Sequence, residues 1–461
     1  MRTFLRRGLM PVLAAVALTA CQSELTIPNF NDATVEGLSA DPGGIQLAAT
    51  GILVSERNNY RTYIRDVSIF GREGYFYFAT DSRFVTDFLI GANGTLSPTG
   101  FASGNWFGYF RNMRNAVNLV DLANKSSLAE NQKAAARGFA HTFRALDMYY
   151  ALSLRDTLGI PVEILANPNE RAPFVSRTIA YARISAVLDS GRTELAAAGP
   201  ASFPFALHGG YSGFDSPSSF LRFNRALAAR MLAIRGSLEC GNACYTQALA
   251  ALGESFVTAP GAATSIAQLN TGVYNIYSTA SGDATNGLST AVDPNFVAHA
   301  SLAADARTKA DGSADARALR KVALLASPRV GNPANRSIPA TYGQTVYASN
   351  STPTPIIRNE ELILIRAEAN LRLGNAGAAV VDLNTTRTVS GGLAPGAAPT
   401  LDDLLYERRY SLYLEGFRWI DVRRFGRLDT LPLDLPIHFR ARVVPIPKAE
   451  CDARVVKPNG C

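Results

Sequence analysis

Residues 358–387 have the sequence RNEELILIRAEANLRLGNAGAAVVDLNTTR, and the expected fold follows from this stretch. Apolar residues recur every three or four positions over 358–373, at Leu362, Ile365, Ala369 and Leu373. This period places them on one face of a helix. Gly374 and Asn375 then turn the chain, and a partner helix is predicted over 376–387. Two helices joined by so short a turn, with small alanines at the crossing, are typical of a tetratricopeptide unit.

The same helical period occurs in several other parts of the chain. Helices are therefore predicted over 131–152, 177–197, 218–238, 245–253 and 401–415. In the first of them, Phe139, Phe143, Leu146 and Tyr150 share one face. Together these segments predict an all-α fold.

Two long segments lack this period and are expected to form a loop-rich face. Residues 45–125 are dense in aromatic residues and glycine, as in FGREGYFY at 70–77. Residues 258–355 are rich in small, polar and turn-forming residues, with one short helix predicted near 314–325. Long ordered loops often carry binding residues, so we expect these segments to face a ligand.

The composition is that of a globular protein, with 47% hydrophobic and 18% charged residues among 461. This mixture argues against collagen-like, fully disordered and multi-span membrane proteins. The net charge is +7, and the basic residues are spread along the chain. A nucleic-acid-binding protein carries a clustered basic face, so we expect no nucleic-acid partner. No glycine-rich loop precedes a lysine, and no cofactor is expected.

The first twenty residues predict a lipoprotein signal peptide. A start containing three arginines is followed by the apolar stretch 9–17, which is too short to remain as a transmembrane helix. The sequence LTAC at 18–21 resembles the lipobox of bacterial lipoproteins, which makes Cys21 the expected lipidation site. A plain signal peptide with a cysteine at its cleavage site is the alternative. Gln22 favours sorting to the outer membrane, and the polar segment 21–45 is expected to be the lipid tether and entry segment.

Four further cysteines are expected to form two disulfides, as is common in exported proteins. Cys240 and Cys244 enclose the turn-like sequence GNA, and Cys451 and Cys461 would close a second short loop. Free thiols and a metal site are the alternatives. The metal site is the least favoured, because the chain has four histidines and none lies beside these cysteines in the sequence.

Three C-terminal motifs follow one another along the chain. They are ELILIRAEA at 361–369 with its turn at Gly374, ERRYSLYLEGFRWIDVRR at 407–424, and VPIPKAE at 444–450. In this order they resemble the SusD/RagB family of nutrient-uptake outer-membrane lipoproteins.

The N-terminal half carries the same resemblance. Trp106, Tyr109 and Asn115 are similar to the family's W-x-x-Y…N helix. The sequence RALDMYY at 144–150, followed by GIP at 159–161, is similar to its helix and G-x-P segment.

The resemblance implies a right-handed superhelix of tetratricopeptide-like helix pairs with a loop-rich, ligand-facing side. Residues 46–257 and 356–461 would be the SusD-like N-terminal and C-terminal parts, and 258–355 a loop-rich insert. SusD-like proteins cover a TonB-dependent outer-membrane barrel of the SusC type, capture an oligosaccharide or peptide, and pass it on. The resemblance therefore implies a lipid-anchored outer-membrane binding protein, displayed on the cell surface, with such a barrel as its partner.

Two other functions stay open. A tetratricopeptide-type scaffold lipoprotein in envelope assembly would have the helix pairs but no need for the long insert. A lipoprotein hydrolase would need a nucleophile or a convergent acid–base pair. The sequence GYSGF at 210–214 only approaches the G-x-S-x-G nucleophile elbow, and adjacent carboxylates such as Glu360 and Glu361 point apart on a helix. No catalytic residue is nominated, and no enzymatic activity is expected.

The charged residues of 407–424 are expected to pair with one another around the turn at Gly416. They are Glu407, Arg408, Glu415, Arg418, Asp421, Arg423 and Arg424. Buried arginine–carboxylate networks fix geometry and are weak evidence for catalysis, so we interpret this group as structural.

Ligand contacts are expected from aromatic residues on the loop-rich face, because flat rings pack against the apolar faces of sugars. Tyr75 and Tyr77 alternate along an extended segment, so both rings would point to one side. Nearby charged residues would bond hydroxyls or a charged ligand. The predicted ligand-binding residues are Tyr75, Tyr77, Arg72, Asp81, Arg83, Tyr274 and Tyr277. Trp106 is expected to lie in the core instead.

Overall fold

The computed structural model describes residues 41–78, 80–167, 169–292, 294–330 and 339–461. The predicted signal peptide, the lipidation site Cys21 and most of the tether lie outside these residues. Helices dominate the described chain and short strands are a minor part, so the predicted all-α fold class is confirmed. No helix in the described ranges combines the length and the apolar character that crossing a bilayer requires.

Long helices form most of the molecule, and successive helices pack against one another. They are α1 (Pro42–Phe70), α2 (Phe107–Lys125), α3 (Glu130–Arg155), α4 (Arg177–Ala198), α5 (Pro217–Arg235), α6 (Gly241–Gly253), α7 (Ala316–Lys321), α8 (Asn359–Arg372), α9 (Ala376–Thr385), α10 (Leu401–Ser411) and α11 (Arg418–Arg424). One-turn α-helices span Arg83–Val85, Ile266–Leu269, Ser301–Ala304 and Lys448–Asp452. Helix α3 packs on α2 and α4, α5 packs on α4 and α6, and α8 packs on α6, α9 and α10.

Short strands complete the fold. They are β1 (Gly74–Phe76), β2 (Ile160–Pro161), β3 (Phe174–Val175), β4 (Gly272–Asn275), β5 (Phe296–Ala298), β6 (Val322–Arg329), β7 (Ala340–Gln344) and β8 (Thr354–Arg358). A four-stranded antiparallel sheet has the order β1-β5-β7-β6, and β2-β3 and β4-β8 form two-stranded antiparallel pairs. In the larger sheet, Tyr75 lies opposite Val297, which in turn lies opposite Gly343.

Small residues allow the helices to approach closely. A Cβ atom at Gly138 of α3 would lie 2.6 Å from Cγ of Leu195 on α4, so only glycine fits this crossing. The apolar face predicted for α3 is buried. At the start of α5, Ser216 and Ser219 form a reciprocal capping box, with Pro217 in the first turn.

The expectation that residues 45–125 are loop-rich is wrong for α1, whereas α2 contains Tyr109 and Asn115 of the helix that the resemblance implied. Helix α1 has a clear start, since the Asp41 carboxylate accepts a hydrogen bond of 2.8 Å from the Gly44 amide and Pro42 follows the cap. Its buried apolar residues keep the helical period, at Ile45, Ala49, Ile52, Leu53, Tyr60, Ile64 and Val67. Arginines and asparagines between these positions obscure the period in the sequence.

Residues 258–355 contain more regular structure than a loop-rich insert would have. Strands β4 to β7 and the start of β8 lie within them. The helix predicted near 314–325 is α7, but it ends at Lys321. Val322 begins β6 and pairs with Gln344 of β7, because tertiary pairing overrides the local helical pattern.

The helix predicted over 401–415 ends earlier, as α10 at Ser411. Leu414 and Gly416 have φ angles of 60° and 85°, in the left-handed region that ends helical runs. A Cβ atom at Gly416 would lie 2.8 Å from Cε1 of Tyr63, so this turn packs directly on α1. The other predicted ends differ slightly, since α5 stops at Arg235 and α6 already begins at Gly241.

Arginines and carboxylates form a buried network behind the C-terminal motifs, and we call it the buried arginine network. Its pairs are Arg230–Glu361, Arg317–Glu407, Arg358–Glu415, Arg408–Asp421 and Arg424–Glu368, with N···O distances of 2.5–2.8 Å. Within 407–424 only Asp421 pairs internally, with Arg408 and Arg424. The expectation of internal pairing is therefore only partly correct, because most partners come from distant helices and strands.

Two members of 407–424 depart further from that expectation. Arg418 forms no ion pair with any described residue, and burial lowers its pKa to about 10. Arg423 places its guanidinium over the Trp419 ring, 3.6 Å from the centroid.

Two disulfides fix local turns. Cys240 is bonded to Cys244, and Cys451 to Cys461, with Cα–Cα distances of 5.6 Å in both. The first joins the end of a helical turn to the start of α6. The second ties the C-terminal residue to the one-turn helix Lys448–Asp452.

Candidate ligand-binding cleft

The structure buries Tyr75 and Tyr77, which were predicted to contact a ligand. They are 2% and 3% exposed, and their rings stack on each other at 5.6 Å. The Tyr75 hydroxyl donates to Asp434, and its ring meets His299 edge-on at 5.3 Å. Alternation along β1 does place both rings on one side, but that side faces the core. Neither ring is available to a ligand in this structure.

Arg72 is also committed to the fold. Its guanidinium donates to the backbone carbonyls of Ile69, Pro432 and Phe439, at 3.1, 3.2 and 2.7 Å. The residue follows α1 with a positive φ of 55°, and it is buried. Arg72 therefore joins the end of α1 to the C-terminal tail and is not exposed to a ligand.

Tyr274 and Tyr277 support the β4–β8 pair. The Tyr277 ring is buried, and its hydroxyl lies 3.2 Å from Oγ1 of Thr354. Tyr274 is partly buried, and its hydroxyl donates to the carbonyl of Asn270. The structure thus gives both tyrosines packing roles and does not bring them to the two remaining predicted residues.

Asp81 and Arg83 lie at the surface and form a bidentate ion pair. Arg83 donates to the two carboxylate oxygens of Asp81 at 3.0 and 2.7 Å. Its guanidinium also lies over the ring of Phe101, 4.4 Å from the centroid. Hydrogen bonds from Arg83 lower the pKa of Asp81. Of the seven predicted residues, these two stand beside an open cleft.

This cleft has a volume of about 480 Å³ and lies between α1, the segment after β1 and the loop at 287–292. Its lining residues are Arg61, Thr62, Arg65, Phe76, Phe78, Thr80, Asp81, Phe84, Gly287, Leu288 and Val292. We call it the Arg61 cleft. Its size falls within the range of about 300–1,000 Å³ typical of small-molecule sites. It joins apolar rings to a small number of polar groups, as such sites usually do.

Phenylalanines form the apolar part of the Arg61 cleft. Phe78 lies 4.9 Å from Phe76 and 5.5 Å from Phe84, measured between ring centroids. Phe101 meets Phe84 edge-on at 4.8 Å, and it is 37% exposed. Phe84 is buried, whereas Phe78 keeps part of its ring accessible. The group forms an apolar surface, with Phe78 as its most accessible lining member.

Arginines on α1 form the polar side of the Arg61 cleft. Arg61 and Arg65 are four residues apart and therefore share one face of the helix. Arg65 donates to Asp66 at 2.8 Å and lies over the Phe84 ring at 4.8 Å from the centroid. Sequence reasoning missed both residues because α1 was interpreted as loop. The four-residue spacing of Arg57, Arg61 and Arg65 was the signal available.

A second cleft of about 480 Å³ lies beside the C-terminal disulfide. Its aromatic ring, Phe174, is stacked on Trp106 at 5.8 Å and covered by the Arg454 guanidinium at 4.7 Å. This ring therefore already has two partners. Trp106 is buried, as expected. Among its described lining residues, this second cleft has no other aromatic ring.

Residues 331–454 match the SusD family model. The C-terminal part of the chain is therefore similar to the SusD family. This segment contains the three C-terminal motifs of the resemblance, and the expected recognition is confirmed. The comparison with curated proteins finds no match.

Solved structures with the SusD fold are similar to nearly the whole chain. Surface glycan-binding protein A from Bacteroides uniformis has a TM-score of 0.66 at 17% identity, covering 91% of this chain and 99% of that one. A SusD superfamily protein from Bacteroides vulgatus has the same TM-score and coverage at 14% identity. Surface glycan-binding protein A from Bacteroides thetaiotaomicron, in complex with laminarihexaose, has a TM-score of 0.63 at 14% identity, covering 90% and 99%. At these identities the similarity establishes the SusD fold.

Proposed function

We propose that this protein is an outer-membrane lipoprotein that binds a glycan in the Arg61 cleft and delivers it to a partner TonB-dependent transporter. The observation that carries the proposal is an open cleft that combines phenylalanine rings with arginine and carboxylate groups on a SusD fold. Two similar proteins are named for glycan binding, and a third is named as a laminarin-binding SusD-like protein. Binding and delivery need no chemical step, so we propose no enzymatic activity.

The affinity of such a site comes mainly from ring stacking. An aromatic side chain buries about 150–250 Å², and half of that area at about 25 cal/mol per Å² stabilises the complex by about 2–3 kcal/mol. In the Arg61 cleft, Phe78 is the ring that we expect to provide this stabilisation. Thr62, Thr80 and Asp81 line the same space and can exchange hydrogen bonds with hydroxyls.

The binding test is isothermal calorimetry of the mature chain with a panel of oligosaccharides. We expect Phe78→Ala to weaken the bound glycan at least tenfold, because it removes the accessible ring. Phe256→Ala is the matched control, since Phe256 is also partly buried, contacts Phe214 at 4.8 Å and does not line the cleft. A chain that binds peptides but no glycan would contradict the ligand class. A chain that binds neither would favour the scaffold alternative.

Anchoring and partnership are the second part of the proposal. Acylation at Cys21 would hold the protein at the outer membrane, exposed on the cell surface, and the helical side would pack on a SusC-like barrel. We expect Cys21→Ser to move the protein into the soluble fraction of cells. Pull-down from gently solubilised membranes should recover a TonB-dependent barrel. Persistent membrane attachment of the variant, or repeated pull-downs without a barrel, would contradict this part.

A further inference from the structure

We infer that the Arg61 cleft selects an anionic glycan, one that carries a carboxylate or a sulfate group, and that Arg61 holds the acidic group. The inference rests on the proposed function and names the substrate class of the same site.

The first observation is the balance of charge around α1. Arg57 is paired with Asp283 at 2.7 Å, Arg65 with Asp66 at 2.8 Å, and Arg83 with Asp81 at 2.7 Å. Each of these three guanidinium groups already has a carboxylate partner. Arg61 lies in the middle of this group, four residues from Arg57 and four from Arg65, and adds one further positive charge.

Arg61 itself has no ion pair and no side-chain hydrogen bond with any described residue. It is nevertheless partly buried and lines the cleft. A guanidinium carries five N–H donors and stays charged in proteins, so its partial burial is unfavourable until an acceptor reaches it. Burial, and then the charges of Arg65 and Arg57, lower the pKa of Arg61. A bound anion offsets both effects.

Gly287 gives the Arg61 guanidinium its place in the cleft. A Cβ atom at residue 287 would lie 2.5 Å from Nη1 of Arg61 and 3.1 Å from its Cδ. The guanidinium therefore packs directly on the backbone of the 287–292 loop, which forms the opposite wall of the cleft. This contact holds the charge between the loop and α1, where it lines the same space as Phe78.

The chemistry of the ligand follows from these contacts. An acidic sugar offers both groups that the cleft matches, because its ring has an apolar face for Phe78 and its acidic group has a planar or tetrahedral set of acceptors for Arg61. Arginine forms bidentate bonds with carboxylates and with oxyanions of phosphate-like geometry. A neutral glycan would leave the guanidinium without a partner.

The experiment compares three tetrasaccharides by calorimetry on the mature chain: tetragalacturonate, a sulfated chondroitin tetrasaccharide and neutral cellotetraose. We expect at least one acidic ligand to bind ten times more tightly than cellotetraose at 50 mM salt. Its affinity should fall as salt is raised, whereas weak binding of cellotetraose should not. The two acidic ligands separate a carboxylate from a sulfate as the recognised group.

Arg61→Gln should remove the preference for the acidic ligand and leave affinity for cellotetraose within twofold. Arg61→Lys should keep part of the preference, since it retains the charge and loses the planar fork. Arg111→Gln is the matched control, because Arg111 is exposed on α2, has no ion pair among the described residues and does not line the cleft. Gly287→Ala should weaken acidic binding by displacing the guanidinium.

Three outcomes overturn the inference. Equal affinity for acidic and neutral ligands would show that the site ignores charge, while the proposed glycan-binding function would stand. Equal losses of affinity for the acidic ligand in Arg61→Gln and Arg111→Gln would show that only the net charge of the protein matters. Absence of binding to all three ligands and to the wider glycan panel would remove the proposed function together with this inference.

Discussion

Arginine has opposite surroundings in two regions of this molecule. In the buried arginine network, Arg358 donates to both oxygens of Glu415 and also to Glu360 and the carbonyl of Ser411. In the Arg61 cleft, Arg61 has no partner among the described residues. A saturated guanidinium holds the chain in one geometry, whereas an unsaturated one at an open surface keeps its donors for a ligand. The number of partners, rather than the residue type, separates the structural arginines from the one that we propose for recognition.

The comparison predicts its largest effect at Arg358. Arg358→Met should destabilise the fold by about 3–5 kcal/mol, because it leaves Glu415 and Glu360 buried without their cation. Arg61→Gln should change the free energy of unfolding by less than about 0.5 kcal/mol, since it breaks no ion pair or side-chain hydrogen bond with a described residue. Urea unfolding of both variants measures the difference. Similar losses in the two would show that the two regions do not differ in this way.

Buried carboxylates extend the comparison to pH. Burial raises the pKa of Glu56 to about 7, and its Oε2 has no hydrogen-bond partner among the described residues. Burial acts in the same direction on Glu360, but Arg358 and Lys321 outweigh it and lower the pKa of Glu360 to about 2. The cations beside Glu360 thus hold this carboxylate charged, whereas burial favours the neutral form of Glu56.

These shifts predict opposite pH dependences. The contribution of Glu56 to stability is complete below its unfolded pKa of 4.5 and is lost as the pH rises through about 7. That of Glu360 is present above 4.5 and is lost as the pH falls toward 2. Wild type should lose stability when the pH rises from 5 to 8. We expect this loss to be smaller in Glu56→Gln, by up to about 3 kcal/mol, because glutamine does not ionise. Urea titrations at the two pH values test this; parallel profiles would contradict the shift at Glu56.

The two disulfides should affect stability without affecting binding in the Arg61 cleft. Replacing both Cys451 and Cys461 by alanine should lower the free energy of unfolding by about 3 kcal/mol, and the same change at Cys240 and Cys244 by about 2 kcal/mol. Neither change should alter affinity in the Arg61 cleft, because both bridges lie outside it. Non-reducing peptide mapping checks the pairing, and free thiols at all four positions would contradict it.

The smallest effect is expected at the rim of the Arg61 cleft. Arg83→Gln breaks an exposed ion pair, and such pairs contribute little to stability. We expect an unchanged urea midpoint and an affinity change below about threefold. Calorimetry of Arg83→Gln and Arg61→Gln with the same acidic ligand tests this. A larger loss of affinity in Arg83→Gln would indicate that the rim, rather than Arg61, recognises the charge.

The sequence predicts those helices whose apolar residues repeat at the helical period within the helix itself. Phe139, Phe143 and Tyr150 repeat at the helical period, and they are buried on one face of α3. In α1 the same period is present, but arginines that line the cleft interrupt it. The sequence pattern alone therefore does not reveal this helix. Polar residues on the cleft side of α1 weaken the apolar pattern that would reveal this helix.

Other features depend on contacts that no local pattern contains. Alternation predicted that Tyr75 and Tyr77 share a side, but Asp434 and His299, which cover that side, come from far along the chain. The partners of the C-terminal motif are likewise distant, as with Arg317 for Glu407 and Glu368 for Arg424. The bridging partners of a buried charge are set by tertiary packing.

Helix α1 has a consequence for the timing of ligand exchange. One of its faces carries Arg61 and Arg65, while Tyr63 on another packs against the turn at Gly416 and the hydroxyl of Ser153. These contacts therefore fix the position of α1, which forms one wall of the cleft, before a ligand binds. Association then needs no rearrangement of α1 and is governed by diffusion and by the field of the arginines, while residence time depends on few contacts. Fast loading and short residence suit the carrier function that we propose.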